Sequence, residues 1–172
     1  MAFCHILIIL FKYLTDLSIK KIINKKHDLK KLFLLFASIK LLMTGFLSFL
    51  VSMFDESLLR NPIEDNAKCV IFFITLLIAP FFETFIFQYL VFYFGRMFRQ
   101  KKITTILLST LFFALAHQYN LIYFFVTVVA GAYYACTFFY IEKKSSNFTS
   151  FLFVSLLHAL NNFIAFIINI TS

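Results

Sequence analysis

The chain has 172 residues, of which 62% are hydrophobic, with a mean hydropathy of +0.89 and a formal net charge of +8. Soluble domains are ~45–50% apolar, so a water-soluble fold is excluded and a lipid setting is required. The positive charge sits in short clusters between apolar stretches, which excludes a continuous nucleic-acid surface and fits a multi-pass membrane protein.

The opening segment, 1–31, combines a short apolar run with a lysine-rich one. Ile6 to Phe11 has no basic region before it and no small-residue cleavage site after it, so it is not read as a signal peptide. Leu17 to Leu29 mixes apolar residues with Lys20, Lys21, Lys25, Lys26 and, just beyond, Lys30. That pattern fits a basic amphipathic helix on an anionic membrane surface, or a solvated linker. A helix needs ~20 apolar residues to span a bilayer. The first good candidate is Leu32 to Phe54, which carries Lys40; an acidic outer loop completes the region 32–66. Within 67–172 four more spans are expected, from Cys69 to Gly95, Ile103 to Tyr119, Leu121 to Ile141 and Phe148 to Ile170.

The fold class expected is therefore all-α, a polytopic membrane bundle of about five transmembrane helices plus the N-terminal segment. Loop charge alternates: basic around Lys31, Arg96 to Lys102 and Lys143 to Lys144, acidic or neutral between. Basic loops belong on the cytoplasmic side, which puts the C-terminus outside. There is no internal repeat of the kind many transporters show. Cys4, Cys69 and Cys136 have unrelated spacings and read as small apolar residues rather than disulfide or zinc ligands. Gly131 and Ala135 form a small-xxx-small pair suited to helix packing.

Polar and ionisable residues inside a span are expensive and are functional candidates by default. Glu83 lies between aromatic residues, one turn after Pro80, whose missing N–H should kink the helix and open room beside it. His117 ends Phe113-Ala114-Leu115-Ala116-His117, and His158 with Asn162 forms an i, i+4 pair on one helix face. The plainer readings are a protonated Glu joining two helices, an interfacial His and a polar packing pair. Depth favours a common site. At ~1.5 Å per residue, Glu83 is about 20 Å above Arg96, and His117 about 22 Å above Lys102. His158 and Asn162 are about 16 and 22 Å above Asn147. A carboxylate and a histidine can share the deprotonation of a water, and a histidine with an amide can donate to an oxyanion. That chemistry hydrolyses a peptide bond with no covalent intermediate and no cofactor. A metal held by Glu83, His117 and His158 is the minority alternative, since no His-Glu-x-x-His signature is present.

Glu83-Thr84-x-x-x-Gln88, Phe113-x-x-x-His117 and His158-x-x-x-Asn162 resemble, in order and spacing, the three motifs of the CPBP intramembrane proteases. That family includes the type II CAAX prenyl endopeptidases and the bacteriocin-processing or immunity (Abi) proteins. The resemblance covers about Cys69 to Ile170, within a protease-like core of 67–172. It implies that Glu83 and His117 activate water while His158 and Asn162 hold the oxyanion. It also implies a membrane-associated peptide or protein substrate, and a place in the bacterial cell membrane. The family's first motif is Glu-Glu-x-x-x-Arg; here Thr84 and Gln88 replace the second Glu and the Arg, a neutral exchange beside the catalytic Glu. The departure leaves a second reading open: an inactive relative serving bacteriocin immunity or acting as a binding scaffold.

Overall fold

The computed structural model describes residues 29–54, 58 and 68–171. The N-terminal segment 1–28 and most of the acidic loop lie outside the described residues. The chain forms two compact units, 1–35 and 36–172. The first is described only over 29–35, the opening turns of a helix; the site belongs to the second.

Five helices are described. Helix α1 runs Leu29–Ser52, α2 covers 68–97, α3 Lys102–Leu115, α4 Leu121–Glu142 and α5 Asn147–Thr171. Four of them, all but α3, are long and apolar enough to cross a membrane. The described fold is an all-α bundle, and the protein is an integral, multi-pass membrane protein. Its outer surface says the same: Leu42, Phe46, Phe82 and Leu121 are each more than 60% exposed. In water such side chains would lose the main driving force for folding; in lipid they face a matched solvent.

The third span is shorter than expected. The apolar run to Tyr119 is not all helix: α3 ends at Leu115, and Ala116 and His117 form a turn. Its 14 residues make about 21 Å, against a hydrocarbon core of ~30 Å. The start of the next helix sets the break. Asn120, in extended backbone, caps α4 by accepting the Tyr123 N–H at 2.8 Å. Its Nδ2 donates to the Leu58 carbonyl at 2.9 Å, pinning the connection. Hydropathy alone carries no trace of this cap.

Helix α4 is the central element, packed against both α3 and α5. Tyr134, Phe138 and Ile141 are fully buried on it, and Val154 and Leu157 on α5. Phe36 of α1 fits among Tyr133, Tyr140 and Phe153, and the Tyr133 hydroxyl donates to the Phe36 carbonyl at 2.5 Å. Without a hydrophobic drive between helices in lipid, close approach matters more. A Cβ on Gly95 would lie 2.6 Å from Thr105 Oγ1, and one on Gly131 would lie 3.1 Å from Phe113 Cδ1 and 3.2 Å from the Thr110 carbonyl. These glycines let α2 and α4 meet α3. At the far end of the bundle from His117, Arg96 pairs with Glu142. The Asn147 amide spans the pair, donating to Glu142 Oε1 at 2.5 Å and accepting from Arg96 Nη2 at 2.7 Å. The basic loops after α2 and α4 thus share one end of the molecule.

Candidate active site

The site begins with a defect in α2. Two π-helical stretches, Ile74–Ile78 and Thr84–Leu90, bracket the short α-helical segment Ala79–Glu83. In the first, the Ala79 N–H bonds back to the Ile74 carbonyl, five residues earlier. The next bond in that register would run from residue 80 to the Thr75 carbonyl, but Pro80 has no N–H. Asn162 Nδ2 makes it instead, at 2.9 Å. Pro80 supplies no backbone N–H here, and a side chain on α5 donates to the Thr75 carbonyl. An amide nitrogen has two protons. One is given to Thr75, which fixes the group, and the other remains for the cavity that Asn162 borders.

Glu83 ends the segment after Pro80. Its Oε2 lies 3.4 Å from His117 Nε2 and 3.8 Å from His158 Nε2. Helices α2 and α5 and the turn after α3 bring these three groups together. His117 Nδ1 lies 2.8 Å from the Phe113 carbonyl. A carbonyl only accepts, so Nδ1 carries the proton, and in neutral His117 the Nε2 lone pair faces Glu83. Two acceptors at 3.4 Å need a proton or a donor molecule between them. Phe113 holds this geometry from below. Its ring stacks on His117 at 4.6 Å between centroids and meets His158 edge-on at 5.8 Å. His158 is buried, its Nδ1 makes no hydrogen bond, and the Tyr134 ring lies 4.8 Å away.

These groups border a cavity of about 470 Å³. Tyr119, in the α3–α4 loop, stands at its rim with its ring 6.3 Å from His117. Burial, and then the Glu83 carboxylate, pushes the Tyr119 phenol above its ordinary value, so it stays a neutral donor. Thr84 and Gln88 are fully buried in the second π stretch, and neither Thr84 Oγ1 nor the Gln88 amide makes a hydrogen bond. They bond neither to each other nor to Glu83. Among the described residues, no three His, Cys, Asp or Glu side chains are disposed to hold a metal ion.

Residues 65–164 match the family described as type II CAAX prenyl endopeptidase, Rce1-like. The match covers more than half of the chain and contains all three motifs. The chain belongs to the Rce1-like family. Neither the comparison with curated proteins nor that with solved structures gave a match. Membership in an Rce1-like family of endopeptidases accords with a polar site held between membrane helices.

Sequence reasoning overlooked part of the cavity wall. Lys40 Nζ donates to Thr44 Oγ1 at 2.6 Å and to Asn161 Oδ1 at 3.1 Å, and Thr44 Oγ1 donates to the same oxygen at 2.9 Å. All three border the cavity with Glu83. A lysine inside a span was the available signal; its partner, 121 residues away, was not readable.

Proposed function

We propose that the chain is an intramembrane endopeptidase that hydrolyses a peptide bond of a membrane-associated protein or peptide. The observation that carries this reading is the convergence of Glu83 Oε2 with His117 Nε2 at 3.4 Å and His158 Nε2 at 3.8 Å beside one cavity. A water between Glu83 and His117 donates to both and is polarised by both. Its oxygen attacks the scissile carbonyl carbon, and its proton passes to the Glu83–His117 pair. The resulting oxyanion accepts from His158 and from the second N–H of Asn162. Collapse breaks the C–N bond, and the stored proton goes to the leaving amine. The reaction so written uses no metal. The bacterial cell membrane is the setting proposed, by analogy with the bacteriocin-processing members that the motifs resemble.

The test compares new protein termini in membranes from cells carrying wild-type or Glu83→Ala protein at matched expression. Peptide ends present only with the wild type support the reading and identify the substrate. Glu83→Gln and His117→Ala are expected to lower cleavage by about 10²-fold or more while the protein still inserts. Full activity in both variants would rule the mechanism out. Activity lost on chelation and restored by a divalent ion would instead make Glu83, His117 and His158 ligands.

The inactive-scaffold reading is favoured by one observation, the unbonded burial of Thr84 and Gln88 where the family pattern has an acid and a base. Identical termini with and without Glu83 would support it. The combined change Thr84→Glu and Gln88→Arg would then be expected to create cleavage.

A further inference from the structure

Lys40 lies at the midpoint of the 24-residue helix α1, yet its side chain does not reach toward the membrane surface. The residue is only 4% exposed, and its ammonium points inward. Lysines in spans usually snorkel or pair with an acid. This one does neither: its partners are the Thr44 hydroxyl, the Asn161 amide oxygen and the face of Tyr134, 5.4 Å from the ring centroid. Among the described residues, no carboxylate comes within ion-pair distance of Nζ. A neutral amide at this position would bridge α1 to α5 without the expense of a buried charge.

The cation also sits beside the chemistry. It borders the cavity that holds Glu83 and His117. It rests on Asn161, the neighbour of Asn162, and on Tyr134, whose ring is 4.8 Å from His158. We propose that Lys40 receives a carboxylate of the substrate and so selects which peptides enter the site. The carboxylate replaces Asn161 Oδ1 as the acceptor, exchanging a hydrogen bond to a neutral amide oxygen for an ion pair in which both partners are charged. The acid is the peptide's own C-terminus or an Asp or Glu side chain near the scissile bond. This inference rests on the endopeptidase reading.

The experiment uses the full chain in lipid nanodiscs and a set of synthetic hydrophobic peptides with an N-terminal acyl anchor. Each peptide is made with a free C-terminal carboxylate, with a C-terminal amide, and as the amide carrying one Glu. Wild-type protein is expected to show a KM at least about tenfold lower for one acidic form than for the plain amide. Lys40→Met and Lys40→Gln bring that ratio close to one, and Lys40→Arg keeps part of it. Which acidic form is preferred identifies the source of the carboxylate. Equal KM values in the wild type, or an unchanged ratio in folded Lys40→Met, would overturn the proposal. Binding is measured in parallel on Glu83→Gln protein, against empty nanodiscs. If no peptide is cleaved by the wild type, the endopeptidase reading fails on this set. The binding arm still decides on Lys40: acid preference lost in Glu83→Gln/Lys40→Met supports the site, and equal binding of acid and amide refutes it.

Discussion

At the scale of single residues, the site depends on groups whose second atom is fixed elsewhere. His117 is oriented by the Phe113 carbonyl and Asn162 by the Thr75 carbonyl. Asn162→Ala removes both the clamp and the free donor. It is expected to lower kcat by about 10²-fold with a smaller change in KM, measured on any substrate the termini comparison yields. Gln88 is the opposite case, a buried amide with neither end bonded. Gln88→Met keeps the volume and removes the orphan polar atoms, so the melting midpoint in detergent should hold or rise; a clear fall would mean that Gln88 has a partner within the site. The meeting of Glu83, His117 and His158 was legible from motif order and depth. The place of Lys40 beside Asn161 was not, because which side chain fills a gap between α1 and α5 depends on tilt and rotation, which hydropathy does not encode.

At the scale of elements, α2 decides the geometry. Pro80 marks α2 in the sequence as an interrupted helix, but the two π stretches around a five-residue α segment are not readable there, since a wide turn leaves no mark in apolar periodicity. Pro80→Ala restores an N–H that competes with Asn162 for the α2 carbonyls. The expected result is a protein at least as stable in thermal unfolding but roughly tenfold or more less active, because sub-ångström positioning is lost. Equal activity would show that the Asn162 clamp is dispensable. Helix α4 acts on the site through packing. In Gly131→Ala the new methyl must displace Phe113, and the Thr110 backbone leaves little room on the other side. We expect a loss of about 1–3 kcal/mol in stability, with a fall in activity as His117 moves with its stacking partner.

At the scale of the whole molecule, polarity runs along the bundle axis. The basic loops and the Arg96–Glu142 pair mark one end, and the loop carrying Tyr119 and Asn120 lies at the other end of α4. In a variant without native cysteines, Gln118→Cys and Ser145→Cys, both at exposed positions, should react with a membrane-impermeant thiol reagent from opposite faces of sealed vesicles. With basic loops inside, Ser145→Cys is the cytoplasmic one; labelling of both from one face would remove α4 as a span.

The short third helix also brings the surrounding lipid to bear on the candidate site. A rod of about 21 Å cannot bridge ~30 Å of hydrocarbon, and any tilt shortens its reach further. A bilayer that dimples to match α3 draws headgroups and their hydration down toward the turn at His117. Stretching acyl chains raises the elastic penalty of that dimple by fractions of a kcal/mol per ångström. Turnover in vesicles should therefore decline as lipid chains lengthen, making membrane thickness itself a control on when this site sees water.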